Sequence, residues 1–367
     1  MKQAILRQPG ADLTLRDVEM PAYSANDVRV QVRVATICGQ TDLAIIDGTH
    51  PPHDAAVDGM LPHDLRRLLP TQADDVSAAY YPLRRFDGAC FPAPMGHEAA
   101  GVVEAVGSGA NLVDLPTNGP GPLAVGDRVA TFKVRGAYAQ YTALPAANVF
   151  RLSTDISLDE GSLMEPLIIN FNCLSRCWSI RPPRTVLVLG QGCQGLLTTQ
   201  VVRALGASTI IVSEPSARKR TLGLELGADL ALDPTTINVV HEVERVTGGA
   251  GVDLVVECVG LEETVRALPF LVRRGGMVAQ VGAVPRAVTF DYGYVHFKHF
   301  IVVPSDYFRS LGEVTDQLAT LLDLVGRGQI NLSALLSHRF PLGDIAEAFQ
   351  LLRDDPGGVV KIAIDVE

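Results

Sequence analysis

The chain is short of three things, and each shortage removes a class of protein. Six cysteines, at positions 38, 90, 173, 177, 193 and 258, are scattered over 367 residues without a disulfide-scaffold rhythm, so they read as reduced thiols. Apolar runs such as "TVLVLG" and "VDLVVECVG" are too short to span a bilayer, and the opening "MKQAILRQPG" lacks the apolar core of a signal peptide. The expected location is the cytoplasm, with no membrane partner. Cationic charge is in deficit, with 31 Lys and Arg against 41 Asp and Glu, which argues against a nucleic-acid partner and leaves small molecules as clients. What remains is ordinary globular material, 47% hydrophobic and long enough for two domains, with no internal repeat.

From Arg184 to Gly282, short β-branched runs alternate with helical stretches: "TVLVLG", 193–205, "STIIVSE", 217–226, "DLALD", 239–247, "VDLVVECVG", 261–273 and "GMVAQVGA". That rhythm predicts an α/β fold, a doubly wound parallel sheet covered by helices on both faces, within a domain over 151–307. Residues 1–150 read as mainly β, from alternating strands such as "DVRVQVRVAT" and "GVVEAV", with a long connection at about 49–94. In 308–367, an amphipathic stretch from Leu311 to Val325 completes the second domain, and the strand signal "VVKIAI" returns to the first.

The strand "TVLVLG" runs into "GQGCQG", a G-x-G-x-x-G turn at Gly190, Gly192 and Gly195 that includes Cys193 and Gln194 and opens a helix. The first glycine permits the tight turn, the second lets backbone approach a pyrophosphate, and the third lets helix pack on strand. Unpaired N–H groups at the helix start then face the phosphates. The next strand ends in Glu214, where an acidic residue is expected to hold the adenine ribose hydroxyls and repel a 2'-phosphate, so NAD is favoured. Arg218 and Arg220 just beyond could contact such a phosphate or simply serve a solvated helix.

In "PMGHEAAGVVEAVGSG", His97 and Glu98 stand at the entrance of a buried strand, and burying such a pair demands partners. Cys38 in "ATICGQTDLAIIDG" and Glu165 in "SLMEPLIINFNC" are the candidates, since zinc accepts thiolate, imidazole and carboxylate. Spacing alone leaves the plainer reading open, that a lone His and a lone Cys are core residues.

Taken in order, "GHEAAGVVEAVGSG", "VGDRVA", "EPL", "VLVLGQGCQG" and "VVECVG" resemble the zinc-dependent alcohol and polyol dehydrogenases of the medium-chain dehydrogenase/reductase superfamily. The resemblance covers most of the chain outside residues 49–94. It is nearest to the sorbitol, threonine and glucose dehydrogenase branch, which has Glu as third metal ligand. It implies a GroES-like β domain split by a Rossmann domain, with the active site in the cleft between them, and a homodimer or homotetramer. It implies that Cys38, His97 and Glu165 bind a catalytic zinc, and that Glu98 coordinates it transiently or through water. Asp42 would orient His97, and the hydroxyl of Thr41 would pass the substrate proton. The implied reaction transfers hydride between NAD(H) and a secondary alcohol or ketone of a polyol, cyclitol or sugar-like molecule.

Three departures stand against that pattern. The usual C-G-[ST]-D-x-H has become Cys38, Gly39, Gln40, Thr41, Asp42, Leu43 and Ala44, with one extra residue and no terminal His; His50 and His53 are possible replacements in the proton relay. The four-cysteine lobe for a structural zinc is missing. The 49–94 connection carries Arg66, Arg67, Arg84 and Arg85 with Tyr80 and Tyr81, a set suited to a lid, an oligomer contact or a grip on an anionic substrate. Two rivals remain: a zinc-free quinone or enoyl reductase, and a noncatalytic structural or NAD-sensing relative. Metal analysis of the purified chain is expected to give one zinc per protomer. A value near two would disprove the missing structural site, and a value near zero with folded protein would disprove the catalytic one.

Overall fold

The computed structural model describes residues 1–47, 92–110, 122–284, 288, 290–305 and 315–367. His50, His53, Tyr80, Tyr81 and the arginines at 66, 67, 84 and 85 lie outside the described residues, as do 311–314 of the amphipathic stretch.

The first half is built on strands β1 (Lys2–Leu6), β2 (Leu13–Asp17), β3 (Asp27–Thr36), β4 (Ala93–Pro94), β5 (Glu98–Val106), β6 (Arg128–Thr131), β7 (Tyr141–Pro145) and β8 (Val149–Arg151). In β3 the residues Val28, Val30 and Val32 are buried while their neighbours face outward, the alternation of a strand with one face on a core. The short helix α1 (Thr41–Ile46) follows it. Helices α2 (Leu158–Ser162) and α3 (Met164–Ile180) then lead into the second domain. A capping box between Ser157 and Glu160 starts α2.

The second domain carries β9 (Thr185–Leu189), α4 (Cys193–Ala204), β10 (Thr209–Ser213), α5 (Ala217–Glu225), β11 (Leu230–Leu232), α6 (Val239–Thr247), β12 (Val252–Glu257), α7 (Glu262–Leu271), β13 (Val272–Gln280), α8 (Gly293–Lys298) and β14 (Ile301–Pro304). Its strands are all parallel, in the order β11-β10-β9-β12-β13-β14, so strand order reverses between β9 and β12. Successive residues of β9 feed opposite faces. Val186 and Val188 join one core with Leu174 of α3 and Leu197 of α4, whereas Leu187 and Leu189 join another with Val243 of α6 and Leu268 of α7. Burial on both faces explains why these strands are apolar throughout rather than alternating.

The chain closes with α9 (Thr315–Gly326), β15 (Leu336–Pro341), α10 (Ile345–Asp354) and β16 (Lys361–Asp365). Leu318 and Leu321 of α9 pack into the first-named core of the parallel-sheet domain. Strand β16 pairs with β3, which gives the seven-stranded sheet the order β15-β16-β3-β5-β6-β8, with β7 also on β3. The chain's last strand is thus the neighbour of its third. Helix α3 ties the two units, because Met164 and Leu167 share a core with Ala100 and Phe150 of the β domain, while Leu174 packs beneath β9.

Asp253 at the start of β12 holds the centre of the parallel sheet. Its carboxylate accepts from the Arg184 and Thr185 N–H groups at 2.9 Å and from Arg273 at 2.5 Å. Burial opposes its charge, yet these donors bring its pKa down to about 2. A depressed carboxylate contributes stability that is present above its unfolded pKa near 4 and lost as pH falls toward 2. Urea unfolding of Asp253→Asn is expected to show a loss of about 1–2 kcal/mol at pH 7. The gap to the unsubstituted protein should close near pH 2; an equal gap at both pH values would disprove the charge assignment.

Candidate active site in the interdomain cleft

Sheet register assembles the site. Glu98 of β5 lies opposite Thr36 of β3, and Thr36 lies opposite Ala363 of β16. Lys361 is two residues from Ala363 and so shares its face. Its ammonium reaches Glu98 Oε2 at 2.5 Å, with both side chains buried, and Thr36 Oγ1 donates to the same oxygen at 2.5 Å. Thr36 Oγ1 also lies 3.1 Å from the Ser162 carbonyl, which binds the end of β3 to the helix preceding Glu165. Burial works against the Lys361 charge, but Glu98 in first place, with Cys193 and Cys38, raises its pKa above the usual lysine value.

His97 is presented by a turn that only glycine fits. Gly96 has φ +92, and a Cβ there would meet the Tyr138 ring at 2.8 Å. Asp42 Oδ1 stands 3.4 Å from His97 Nδ1, and Asp42 Oδ2 accepts from Tyr138 Oη at 2.5 Å and from the Cys38 N–H at 3.0 Å. Burial disfavours charge on both partners. Their mutual attraction nevertheless lowers the Asp42 pKa and raises that of His97 well above its ordinary value, with Tyr138 and Cys38 adding hydrogen bonds. Burial and the Asp42 charge push the Tyr138 phenol up.

The extra residue of the 38–42 turn is absorbed locally. The Asp42 N–H donates to the Cys38 carbonyl at 3.0 Å while the Asp42 carboxylate caps the Cys38 N–H, so Thr41 keeps its place beside Asp42 at the start of α1. Gln40 is thrown outward. Thr41 is half-buried, and Ala44 lies one turn further on.

Cys38, His97 and Glu98 bring one ligand atom each to within 4.8 Å of one another, and Glu165 is not in this group. The Glu165 carboxyl stands beside it, at the start of α3. Burial pushes its pKa up to about 7, opposed by His97 and reinforced by Glu98, and it has no hydrogen-bond partner among the described residues. Thiolate, imidazole and carboxylate are the donor set that suits zinc. Sequence reasoning missed Lys361, Thr36 and Tyr138. Only Lys361 left a signal, a cation inside the apolar run "VVKIAI".

The glycine-rich turn sits at the reversal of strand order, between β9 and α4. Gly190 has φ +85; a Cβ on Gly195 would lie 1.9 Å from the Gly190 carbonyl, whereas one on Gly192 would meet nothing within 4 Å and faces open space. That is the cradle a pyrophosphate requires. Cys193 begins α4, its thiol pushed up to about 12 by burial, and Gln194 Nε2 donates to the Pro166 carbonyl at 3.4 Å, which sets this turn beside Glu165 at the start of α3. Gln194 is gripped by Asn170, whose Nδ2 donates to its carbonyl at 3.1 Å and its Oε1 at 3.0 Å. Glu214, at the end of β10, accepts from the Gln191 N–H at 2.7 Å and the Ser216 N–H at 2.9 Å, which aims it back at the turn. Arg220 is committed to the Glu214 and Pro215 carbonyls and to Asp233, whereas Arg218 is exposed with no partner among the described residues.

A βαβ dinucleotide turn together with a thiolate, imidazole and carboxylate cluster defines a class, the metal-assisted dehydrogenases. Comparison with known proteins makes this specific. Residues 72–154 match the alcohol dehydrogenase GroES-like domain and residues 195–326 the zinc-binding dehydrogenase domain. The chain is 30% identical to L-threonine 3-dehydrogenase of Pyrococcus furiosus, over 96% of this chain and 94% of that one. It is 26% identical to human sorbitol dehydrogenase, over 75% and 80%. Galactitol-1-phosphate dehydrogenase of Escherichia coli has the same fold, with a TM-score of 0.78, 20% identity and full coverage of both chains. The chain belongs to the zinc-dependent medium-chain dehydrogenase/reductase superfamily, and within it to the alcohol dehydrogenase type of oxidoreductase.

Tyr138 Oη supports the cluster through Asp42 Oδ2 at 2.5 Å and also lies 3.3 Å from the Thr36 carbonyl, so its loss tests the support of His97 from behind. Tyr138→Phe is expected to weaken zinc affinity by about 10-fold, read by competition with a chelator. An unchanged affinity would mean that Asp42 orients the imidazole without help.

Proposed function

We propose that the chain is a zinc- and NAD-dependent dehydrogenase acting on a secondary alcohol of a polyol, cyclitol or sugar-like substrate. The observation that carries this reading is the Cys38, His97 and Glu98 cluster, with the glycine-rich turn fastened to the helix that carries Glu165. The names of the relatives, L-threonine 3-dehydrogenase and sorbitol dehydrogenase, support an alcohol carried on a polar skeleton.

Cys38 and His97 are assigned as metal ligands. Glu165 is assigned as the third, because Glu98 has one oxygen already engaged by Lys361 and Thr36 while the Glu165 carboxyl has no partner among the described residues. Glu98 stays within reach as a reserve ligand. Bound zinc supplies a Lewis acid that polarises an alcohol oxygen, and NAD supplies the hydride acceptor. The chain's own work is to hold and orient. Asp42 accepts from His97 Nδ1 and leaves Nε2 for the metal. Lys361 offsets the negative charge of Glu98. Thr41 is assigned to receive the alcohol proton, and with Ala44 in place of a histidine that proton leaves through water or a side chain of the 49–94 connection.

On the cofactor side, Gly190, Gly192, Cys193, Gln194 and Gly195 are assigned to the pyrophosphate and Glu214 to the adenine ribose, where its charge would repel a 2'-phosphate. Arg218 is left as the side chain nearest in sequence to that pocket.

NADH formation across a panel pairing each neutral polyol, cyclitol and simple alcohol with its phosphorylated counterpart tests the reading. Cys38→Ser is expected to lower turnover by at least about 100-fold. Retained activity in that variant would favour a zinc-free reductase, and none in either protein a noncatalytic relative. Preference for the phosphorylated members would assign Arg66, Arg67, Arg84 and Arg85 to the substrate.

A further inference from the structure

The extra residue in the 38–42 turn has a partner in the other domain. Gln40 Nε2 donates to the Ala283 carbonyl at 2.9 Å, and the Ala283 N–H faces Gln40 Oε1 at 3.4 Å, a reciprocal pair between a side-chain amide and one backbone unit. Ala283 lies just beyond β13. The loop after β12 joins the same junction, because a Cβ on Gly260 (φ +79) would stand 1.9 Å from the Ala283 carbonyl and 3.4 Å from Gln40 Nε2. Three loops from two domains therefore meet at the C-terminal ends of β12 and β13.

A second polar contact joins the domains on the far side of the strand-order reversal. Ser216 Oγ donates to the Gly357 carbonyl at 2.8 Å and Lys219 Nζ to the Pro356 carbonyl at 2.6 Å, linking the turn after β10 to the loop between α10 and β16. The two contacts differ in burial. Lys219 is only 8% exposed, whereas Gln40 is open to solvent. Hydrogen bonds open to water are exchanged readily for bonds to water, so the Gln40 contact is the one that opens first.

A dinucleotide laid across the reversal, with its adenosine at Glu214, extends its other half over the ends of β12 and β13. We infer that Gln40 is a positioning residue: it latches the lip of the cleft shut over the nicotinamide end and gates cofactor exchange. This rests on the dehydrogenase reading above. Both partners of the latch belong to the chain itself and neither is a cofactor atom, so it opposes opening for entry as well as for exit. Removing it accelerates both steps by a common factor and leaves affinity nearly unchanged, a signature that a lost contact to bound cofactor does not produce.

Stopped-flow fluorescence of NADH binding to the zinc-loaded protein tests this with Gln40→Ala and with Gln40→Met, which keeps the length but has no amide. Both variants are expected to show association and dissociation rate constants raised together by roughly three- to tenfold, the scale of one or two modest hydrogen bonds, with Kd within about twofold and Tm lowered by no more than about 3 °C. Unchanged rates, or a rise in dissociation alone, would overturn the latch while leaving the dehydrogenase reading intact. An unsubstituted protein that fails to bind NADH would overturn that reading itself.

Discussion

The buried ion pair between Glu98 and Lys361 is the constraint on which most of the site depends. Its two residues are far apart in the chain, yet they lie across three neighbouring strands at one end of a single sheet. Removing one partner of such a pair leaves an uncompensated charge and costs on the order of 3–5 kcal/mol. The closing strand is therefore held in register by chemistry as well as by Ile362 and Ile364 in the core. The pairing of β3 with β5 sets Thr36 opposite Glu98, and Cys38, two residues beyond β3, comes within reach of the same carboxylate.

Two polar chains converge on the same few atoms. One runs from Tyr138 through Asp42 to His97, and the other from Lys361 and Thr36 to Glu98. The first puts a carboxylate behind the imidazole and leaves the far ring nitrogen facing the cluster. The second occupies one oxygen of Glu98 and moderates its charge. Lys361 already balances Glu98 and His97 already faces Asp42, so the case for a divalent metal at Cys38 rests on the donor set, a thiol, an imidazole and a carboxylate within reach of one ion.

Placement of this cluster against the cofactor turn depends on elements that serve both domains. Helix α3 begins under the β domain and ends under the parallel sheet, carrying Glu165 on its first turn and Asn170 about a turn and a half later. Asn170 grips Gln194, and through it the start of α4. A single rigid helix thus sets the third candidate ligand and the glycine-rich turn relative to each other. The Gln40 and Lys219 contacts add two polar fastenings at opposite ends of the same cleft.

Local patterns in the sequence determined the elements, because their causes are short-range: glycine spacing for the cofactor turn, β-branched runs for the parallel strands, and valine alternation for β3. The helix read over 239–247 has those limits in the fold, and Gly248 ends it in the left-handed conformation. The motifs carrying Cys38, His97 and Glu165 were legible through resemblance, not through spacing. Tertiary structure alone decided that Glu98 rather than Glu165 falls inside the tight cluster, since that depends on how the helix carrying Glu165 seats against the β domain. It also recruited Tyr138 and Thr36, ordinary residues in the sequence whose partners lie 96 and 62 residues away. And it gave the surplus Gln40 a backbone partner 243 residues distant. Spacing along a chain carries information about neighbours within a turn or a strand; contacts made by sheet register and domain docking are set by which surfaces bury together, and a linear pattern does not record them.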